Sequence, residues 1–242
     1  RLVSKPEGDL WWYESGETVA FAGFASAGGW QGRSDSNMRA ADLRPAIFDP
    51  RARLAEAEQD GVVAEVLYPS FAMKLFDSDE PQYQQELFRA YNDWVVAFCS
   101  AAPDRLMAHA MLSILDPEAA AVEARRAAKL GFRGVLINAH PRRGMDFGSD
   151  RYEGLWATLA DCGLLASLHL YAGDIEPRGD TFLATYSTDP VRVQQSIALL
   201  VFSGVVERHP RLRFVIVESD VGWLAHLLSL HAFVPLHGKT LE

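Results

Sequence analysis

The sequence is poor in cysteine, in long apolar runs and in positive charge, and each shortage excludes a class of protein. Its two cysteines, Cys99 and Cys162, fall in helical patterns without metal-ligand spacing, so we expect reduced, packed thiols in a cytoplasmic protein. No segment approaches the roughly 18 consecutive apolar residues of a membrane span. A formal net charge of −9 disfavours nucleic acid and anionic membranes as partners, because both repel an acidic protein.

A glycine-rich G-x-G-x-x-G fingerprint is also missing after the predicted strands, so a Rossmann nucleotide site has no support. The sequence instead alternates β-prone and helical patterns, with several helices opened by Asp-Pro and closed by glycine. Five strands are predicted near 62–69, 106–113, 132–139, 164–170 and 212–219. This alternation predicts an α/β fold with a parallel sheet, and a (β/α)8 TIM-type barrel fits it best. Five strands are too few to close such a barrel, so we expect a partial one.

The first 43 residues differ from the rest of the chain. Two short β-prone runs, 10–13 and 18–21, flank a turn signal and predict a hairpin. The aromatic, glycine-rich loop that follows is either an irregular surface excursion or a lid in which Trp30 or Phe24 covers a pocket. We therefore divide the chain into a hairpin insertion, 1–43, and a partial barrel, 44–242.

The segment 164–170 is the most informative of the predicted strands. Side chains alternate across a strand, so Leu165, Ser167 and His169 share one face, while the other face is wholly apolar and suits packing against helices. The first face becomes polar at the carboxyl end of the strand, which is where α/β barrels place their chemistry. His169 is therefore either a satisfied structural residue or a metal ligand.

Other predicted strands also end in polar residues, and there are more of these residues than a packed core requires. These residues are Ser70, Ser113, Asn138, His140, Glu218, Ser219 and Asp220. Imidazole and carboxylate are the usual ligands of zinc or manganese, and a catalytic site keeps an open position for substrate.

Each of these residues also has a structural interpretation. Asn138 and Ser219 could satisfy loop backbone, and Asp220 is better explained as the cap of the following helix. His140, beside Arg142 and Arg143, either receives a carboxylate substrate or lies in a solvated loop. His109 and His209 are interpreted as structural.

Four segments together resemble the amidohydrolase-related family, the branch of the amidohydrolase superfamily that includes aminocarboxymuconate-semialdehyde decarboxylase and γ-resorcylate decarboxylase. They are Pro45–Val62 running into the motif Glu-Val-Leu-Tyr-Pro-Ser at 65–70, Asp150–Trp156 leading to Ser167-Leu-His169, Glu207–Phe214, and the motif Glu-Ser-Asp-Val-Gly-Trp at 218–223. The resemblance covers roughly residues 44–230 and is specific as a set.

The resemblance implies a divalent metal in a (β/α)8 barrel. The family's ligands are an acidic-x-His pair on the first strand, a histidine on the fifth and an aspartate on the eighth, and His169 matches the fifth-strand histidine. The first and eighth strands have no match here, which accounts for the low strand count. Many relatives carry a catalytic histidine in an H-x-G-G pattern after the sixth strand; Glu218 stands there in this chain and is the natural substitute.

The resemblance implies non-oxidative decarboxylation of a small, possibly aromatic, carboxylic acid, with zinc as the expected metal and manganese as an alternative. The site is then expected to hold His169 as metal ligand, Glu218 as catalytic residue, and Asn138, His140 and Trp30 as substrate-binding residues. Metal-dependent hydrolysis of an amide, ester or lactone is the second hypothesis, and a barrel that binds a ligand without catalysis is the third. The expected partner is a small carboxylate substrate, and a homodimer is the expected assembly.

Overall fold

The structure, a computed structural model, describes most of the chain in two compact units. The described residues are 2–6, 8–12, 18–20, 39–141, 145–170, 172–173 and 182–237. One unit comprises Arg1–Ala72 with Asp93–Ala108, and the other comprises Met73–Asn92 with His109–Glu242. Trp30 and its glycine-rich loop, like Arg142 and Arg143, lie outside the described residues, and the predicted boundary at 43/44 stays a prediction. Within the described part of the chain, no helix is both long and apolar enough to cross a membrane.

Nine strands and eight α-helices are found among the described residues. The strands are β1 (Leu2–Lys5), β2 (Gly8–Trp12), β3 (Thr18–Ala20), β4 (Glu65–Leu67), β5 (Leu106–Ala108), β6 (Ala110–Met111), β7 (Gly134–Ile137), β8 (Leu165–His169) and β9 (Phe214–Val217). The helices are α1 (Pro50–Gln59), α2 (Pro81–Cys99), α3 (Pro117–Lys129), α4 (Glu153–Cys162), α5 (Phe182–Thr188), α6 (Pro190–Phe202), α7 (Val205–Arg208) and α8 (Gly222–His237). Short 3-10 helices cover 40–42, 45–47, 71–77 and 150–152.

In the first unit the predicted hairpin is confirmed. β2 pairs antiparallel with β3, and β1 adds a third antiparallel strand on the other side of β2. β4 pairs with β5 in parallel, with Glu65 opposite Leu106. The Arg53 guanidinium on α1 donates to the Glu65 carboxylate at 2.7 Å, which ties the helix to the start of that strand.

The second unit contains a four-stranded parallel sheet in the order β6-β7-β8-β9. Sequential parallel strands were the central expectation, and the described strands confirm it, although each is shorter than predicted. The predicted strand 106–113 is divided at His109 into β5 and β6. At β6 the Asn92 side chain from α2 accepts from Met111 N and donates to Met111 O, so a side chain occupies this edge of the strand.

One face of this sheet, the helix face, packs against α4 and α6, the helices that follow β7 and β8. Leu170 and Ala139 form a buried cluster with Val193 of α6, and Ile216 of β9 packs against it. Trp156 of α4 is fully buried and its ring lies 5.8 Å from that of Phe214. The apolar alternation of 164–170 therefore predicted the helix face correctly.

The helix boundaries follow local chemistry with one departure. Asp116 accepts from Glu118 N and Ala119 N at the start of α3, as an N-cap aspartate should. α4 ends at Gly163, whose φ of +67° is a conformation that glycine adopts without steric cost. Asp189 precedes Pro190 as expected, but its side chain makes no capping bond, because α5 ends directly before it and leaves Asp189 itself in a helical conformation.

Candidate active site at the strand ends

The opposite face of the sheet, the site face, carries His109, Ser167 and His169. Parallel pairing sets Ile137 opposite Leu168 and His169 opposite Val217. Continuing this register by one residue places Asn138 beside His169, and Glu218 directly follows the partner of His169. Because these strands are parallel, their carboxyl ends meet at one edge, and the predicted residues Asn138, His169 and Glu218 are brought together there.

His169 is the last residue of β8 and is 2% exposed. Burial disfavours the charged imidazolium and holds the pKa of His169 below its usual range, while the nearby Glu218 carboxylate opposes this shift. The imidazole is therefore neutral at physiological pH. A neutral imidazole is the form that binds a metal ion.

Glu218 approaches His169 from the neighbouring strand. Its Oε2 lies 3.6 Å from His169 Nε2, and its side chain is 58% exposed. Both Glu218 and Asp220 have φ near +57°, a left-handed conformation that is uncommon outside glycine, asparagine and aspartate. Strained backbone of this kind concentrates at functional sites, where the surrounding structure holds it in place.

Four hydrogen bonds hold the turn at 218–220. Trp223 Nε1 donates to Ser219 O at 2.7 Å, and Ser219 Oγ donates to Val217 O at 3.1 Å. Asp220 accepts from the backbone N–H groups of Val221 and Gly222 at the start of α8. The structural interpretation of Ser219 and Asp220 is therefore confirmed, and Glu218 is the acidic residue of this turn that faces the histidine.

Asn138 is 2% exposed, and its Oδ1 is buried without a hydrogen-bond partner among the described residues. Ser113, which follows the adjacent strand β6, is likewise buried with an unpartnered Oγ in the described part of the chain. Leaving such an atom unsatisfied costs about 1–3 kcal/mol, so a water or ligand is the expected partner. Within the described residues no backbone group bonds Asn138 Oδ1, and the role of Asn138 in binding substrate stays a prediction.

The loop after β8 lies directly against the Asn138 amide. A Cβ placed on Gly173 would come within 2.4 Å of Asn138 Nδ2, which is closer than non-bonded atoms approach. Gly173 also has a φ of +91°, which disfavours other residues. Glycine at this position therefore allows the loop to approach the site closely.

His140 lies two residues beyond Asn138 and is tied to α6. Its Nδ1 is 2.9 Å from Ser196 Oγ, and Ser196 is fully buried. Ser196 Oγ also lies 2.7 Å from Ala139 O. A specific hydrogen bond thus ties the partly exposed His140 to α6, and its role in binding substrate stays a prediction.

A buried polar pair on the site face was missed by sequence reasoning. His109 Nδ1 lies 2.7 Å from Ser167 Oγ, one alternation deeper than His169. The imidazole crosses the intervening strand over Gly134, where a Cβ would be 2.8 Å from His109 Nε2. Burial lowers the pKa of His109 from its ordinary 6.5 to about 4. A glycine inside a predicted strand signals close approach of another group, and this was the available clue.

The donor atoms present fit part of a metal site. The buried neutral imidazole of His169 and the Asn138 amide oxygen on the adjacent strand, which is unpartnered among the described residues, are suitable ligand types, while Glu218 is the predicted catalytic carboxylate. No group of three or more histidine, cysteine, aspartate or glutamate side chains with metal-binding geometry occurs within the described ranges. The described residues therefore supply one side of such a site.

A family profile described as amidohydrolase matches residues 13–240, so this chain belongs to the amidohydrolase family. The γ-resorcylate decarboxylase of Rhodococcus jostii (strain RHA1) is 30% identical over 156 residues, which cover 57% of this chain and 46% of that enzyme. The chain thus spans less than half the length of this relative.

Two solved structures show the same fold. An amidohydrolase from Mycobacterium avium subsp. paratuberculosis K-10 superposes with a TM-score of 0.72 at 18% identity, covering 99% of this chain and 71% of that one. The 5-carboxyvanillate decarboxylase of Novosphingobium aromaticivorans DSM 12444 was solved with manganese and 4-hydroxy-3-methoxy-5-nitrobenzoic acid. It superposes with a TM-score of 0.61 at 19% identity, covering 77% of this chain and 55% of that one. The family implies a TIM-type barrel, and the parallel α/β sheets agree with it.

Proposed function

We propose that this protein catalyses the metal-dependent, non-oxidative decarboxylation of a small aromatic carboxylic acid. The observation that carries the proposal is the pairing of the buried neutral His169 with the Glu218 carboxylate at adjacent strand ends. Decarboxylases among the relatives in the same family support this reaction over the alternatives. Barrel closure, the cytoplasmic location, a homodimer and a lid carrying Trp30 stay predictions.

His169 would hold a divalent metal at the carboxyl end of β8. When bound, such a metal acts as a Lewis acid that stabilises charge developing on substrate oxygens. Zinc is the metal predicted from the ligand types, while the 5-carboxyvanillate decarboxylase was solved with manganese. We therefore propose a divalent ion, with both metals to be tested.

Glu218 would transfer the proton that decarboxylation requires. When the bond between ring carbon and carboxylate breaks, CO2 leaves and the ring carbon must gain a proton. The Glu218 carboxylate, held by its strained turn 3.6 Å from His169 and 58% exposed, would take a proton from solvent and deliver it to the ring carbon. Asn138, with its amide buried beside His169, would orient the substrate.

A substrate panel tests this proposal directly. The protein is loaded with Mn²⁺ or Zn²⁺ and incubated with 2,6-dihydroxybenzoate and 5-carboxyvanillate, and released CO2 is measured against a Glu218→Gln control. Parallel assays follow hydrolysis of a p-nitrophenyl ester and calorimetric binding of the same acids. CO2 release that depends on metal and on Glu218 supports decarboxylation. Ester hydrolysis without CO2 release, or binding without turnover, would replace it with one of the other two hypotheses.

A further inference from the structure

The side-chain amide of Asn138 leaves its oxygen without a hydrogen-bond partner among the described residues, although the residue is buried. A buried acceptor in this state is unfavourable, because it has lost its water and gained no donor. An amide that is free to rotate about its side-chain bonds would turn until its oxygen met a donor. The groups packed against Asn138 therefore decide whether the unfavourable orientation persists.

The loop after β8 lies against this amide through the backbone of Gly173. A Cβ on Gly173 would lie 2.4 Å from Asn138 Nδ2 and 3.3 Å from Asn138 Cγ, so the absence of a side chain leaves room for the amide. Main-chain bonds fix the loop, since Ala172 N donates to His169 O at 2.9 Å and Ala139 N donates to Ala172 O at 2.8 Å. Gly173 is therefore held in contact with the Asn138 amide.

Phe76 borders the same space from a different connection, the 3-10 helix at 71–77 between β4 and α2. Its Cβ lies 3.5 Å from the position that a Cβ on Gly173 would take, so Phe76 and the Asn138 amide are neighbours on one side of Gly173. Phe76 is fully buried, and its ring centroid is 4.5 Å from that of Phe88 in α2. Phe76 thereby fills space into which the amide or the loop would otherwise move.

The helix α2 fixes the position of Phe76 by hydrogen bonds as well as by packing. The Nε2 group of the buried Gln84 donates to Leu75 O at 2.9 Å and to Ser78 O at 3.3 Å, on either side of Phe76 in the chain. Ser78 N also donates to Leu75 O at 3.2 Å. The end of the 3-10 helix is thus bonded to α2, which keeps Phe76 beside Gly173.

We propose that Phe76 is a positioning residue that, together with Gly173, holds the Asn138 amide in the orientation that binds substrate. With the amide fixed before the substrate arrives, less free energy is lost in ordering it on binding. The inference rests on the proposed function for the choice of ligand. It extends that function to the connection 71–77, which carries none of the site residues predicted from the sequence.

The orientation of the amide is tested first by NMR, without substrate. The side-chain amide protons of Asn138, assigned by their absence in Asn138→Ala, should show nuclear Overhauser contacts to the Hα atoms of Gly173. Phe76→Ala should remove these contacts, and Phe76→Leu, which keeps most of the apolar volume, should retain them. Gln84→Met removes both donors to the 3-10 helix without opening a cavity and should weaken the contacts, so it gives the same test if Phe76→Ala does not fold.

Phe147→Ala is the matched control for the loss of a buried ring. Phe147 is as buried as Phe76, but its ring contacts Tyr152 and Trp156. This variant should lose stability and keep the contacts between Asn138 and Gly173. Contacts that persist in both Phe76→Ala and Gln84→Met, or that vanish equally in Phe147→Ala, would overturn the positioning role.

The consequence for binding is tested with a double-mutant cycle. Metal-loaded protein is titrated with 2,6-dihydroxybenzoate, and Phe76→Ala should weaken binding by about 3- to 10-fold, the loss of one well-placed hydrogen bond. In an Asn138→Ala background the same substitution should change the affinity by less than about 2-fold, because no amide remains to be oriented. Equal losses in both backgrounds would show that Phe76 does not act through Asn138.

Failure of the proposed function gives a different result. If the unmodified, metal-loaded protein binds 2,6-dihydroxybenzoate but releases no CO2, decarboxylation is wrong and the cycle still decides the role of Phe76. If it does not bind this acid at all, the substrate proposal is wrong, and the NMR contacts alone decide whether Phe76 and Gly173 hold the amide.

Discussion

The two faces of the β6–β9 sheet are built from the same strands but have different chemistry. On the helix face Leu168 and Leu170 are buried against apolar helix residues, and no charged or titratable side chain interrupts the described cluster. On the site face Ser167 and His169 are equally buried, yet they contact a histidine and a glutamate. Burial alone therefore does not distinguish the faces; the partners of the buried side chains do.

This difference indicates a division of roles. Apolar packing stabilises the folded state in proportion to the surface removed from water. A buried polar face gains little net stability, because each group must recover the hydration that it lost. If the site face serves the proposed chemistry, substitutions on the two faces should affect different measurements.

The largest expected effect is on turnover and comes from the site face. Glu218→Gln removes the proton donor while preserving the shape of the side chain, so kcat should fall by about 10²–10⁴-fold. Metal content and the free energy of unfolding should stay close to those of the unmodified protein, because Glu218 is largely exposed. Rates are measured as CO2 release under saturating substrate. A variant with near-normal turnover would show that another residue supplies the proton.

The next largest effect belongs to the helix face. Trp156→Ala should lower the free energy of unfolding by about 3–5 kcal/mol, because a fully buried ring packed against Phe147, Tyr152 and Phe214 is lost together with a hydrogen bond to Phe147 O. Denaturant titration measures the change. Trp94→Ala, on a side chain 51% exposed, is the control and should cost far less.

A smaller effect concerns the response of stability to pH through His109. The folded protein keeps His109 neutral down to about pH 4, whereas the unfolded chain binds a proton near pH 6.5. Stability should therefore fall as pH drops through this window, by on the order of 3 kcal/mol from this group. Unfolding free energies are compared between pH 7 and pH 4.5.

The matched variant is His109→Asn, whose amide can still bond Ser167 but does not titrate. Between pH 7 and pH 4.5 its free energy of unfolding should fall less than that of the unmodified protein. An unchanged pH dependence would mean that His109 is not held neutral by burial.

The smallest expected effect contrasts two glycines. Gly134→Ala should destabilise the protein by about 1–3 kcal/mol, since its Cβ would lie 2.7 Å from Leu165 Cδ1 and 2.8 Å from His109 Nε2. Gly154→Ala, in α4 with open space around the new methyl, should instead stabilise it by up to about 1 kcal/mol. Thermal unfolding should show a lower melting temperature for Gly134→Ala and a higher one for Gly154→Ala if the site face is closely packed. Shifts of the same sign in both variants would contradict that packing.

Sequence reasoning predicted the parallel strands and the helix face because both depend on alternation within single segments. It did not predict the break at His109, because the bonds at Met111 come from Asn92, which is distant in sequence. The left-handed backbone conformation of Glu218 could not be predicted from the sequence either, because glutamate has no local preference for it.

For the site, the alternation placed His169 on its face, and the resemblance suggested Glu218. The bond between His140 and Ser196, and the His109–Ser167 pair beneath His169, depend on contacts between segments distant in sequence that only the folded chain brings together. Residues such as Trp30 lie outside the described part of the chain, and their roles stay predictions.

The most direct test of the account is the metal content of His169→Ala, measured by elemental analysis after loading with Mn²⁺ or Zn²⁺ and removal of excess ion. His209→Ala is the matched control, because this histidine lies away from the carboxyl ends of the strands. Its Nε2 is 2.7 Å from the Glu153 carboxylate. If His169 is a ligand, its variant should lose both bound metal and activity, while the His209 variant keeps its metal. Stoichiometric metal and a near-normal rate in His169→Ala would show that His169 is structural and contradict the proposed site.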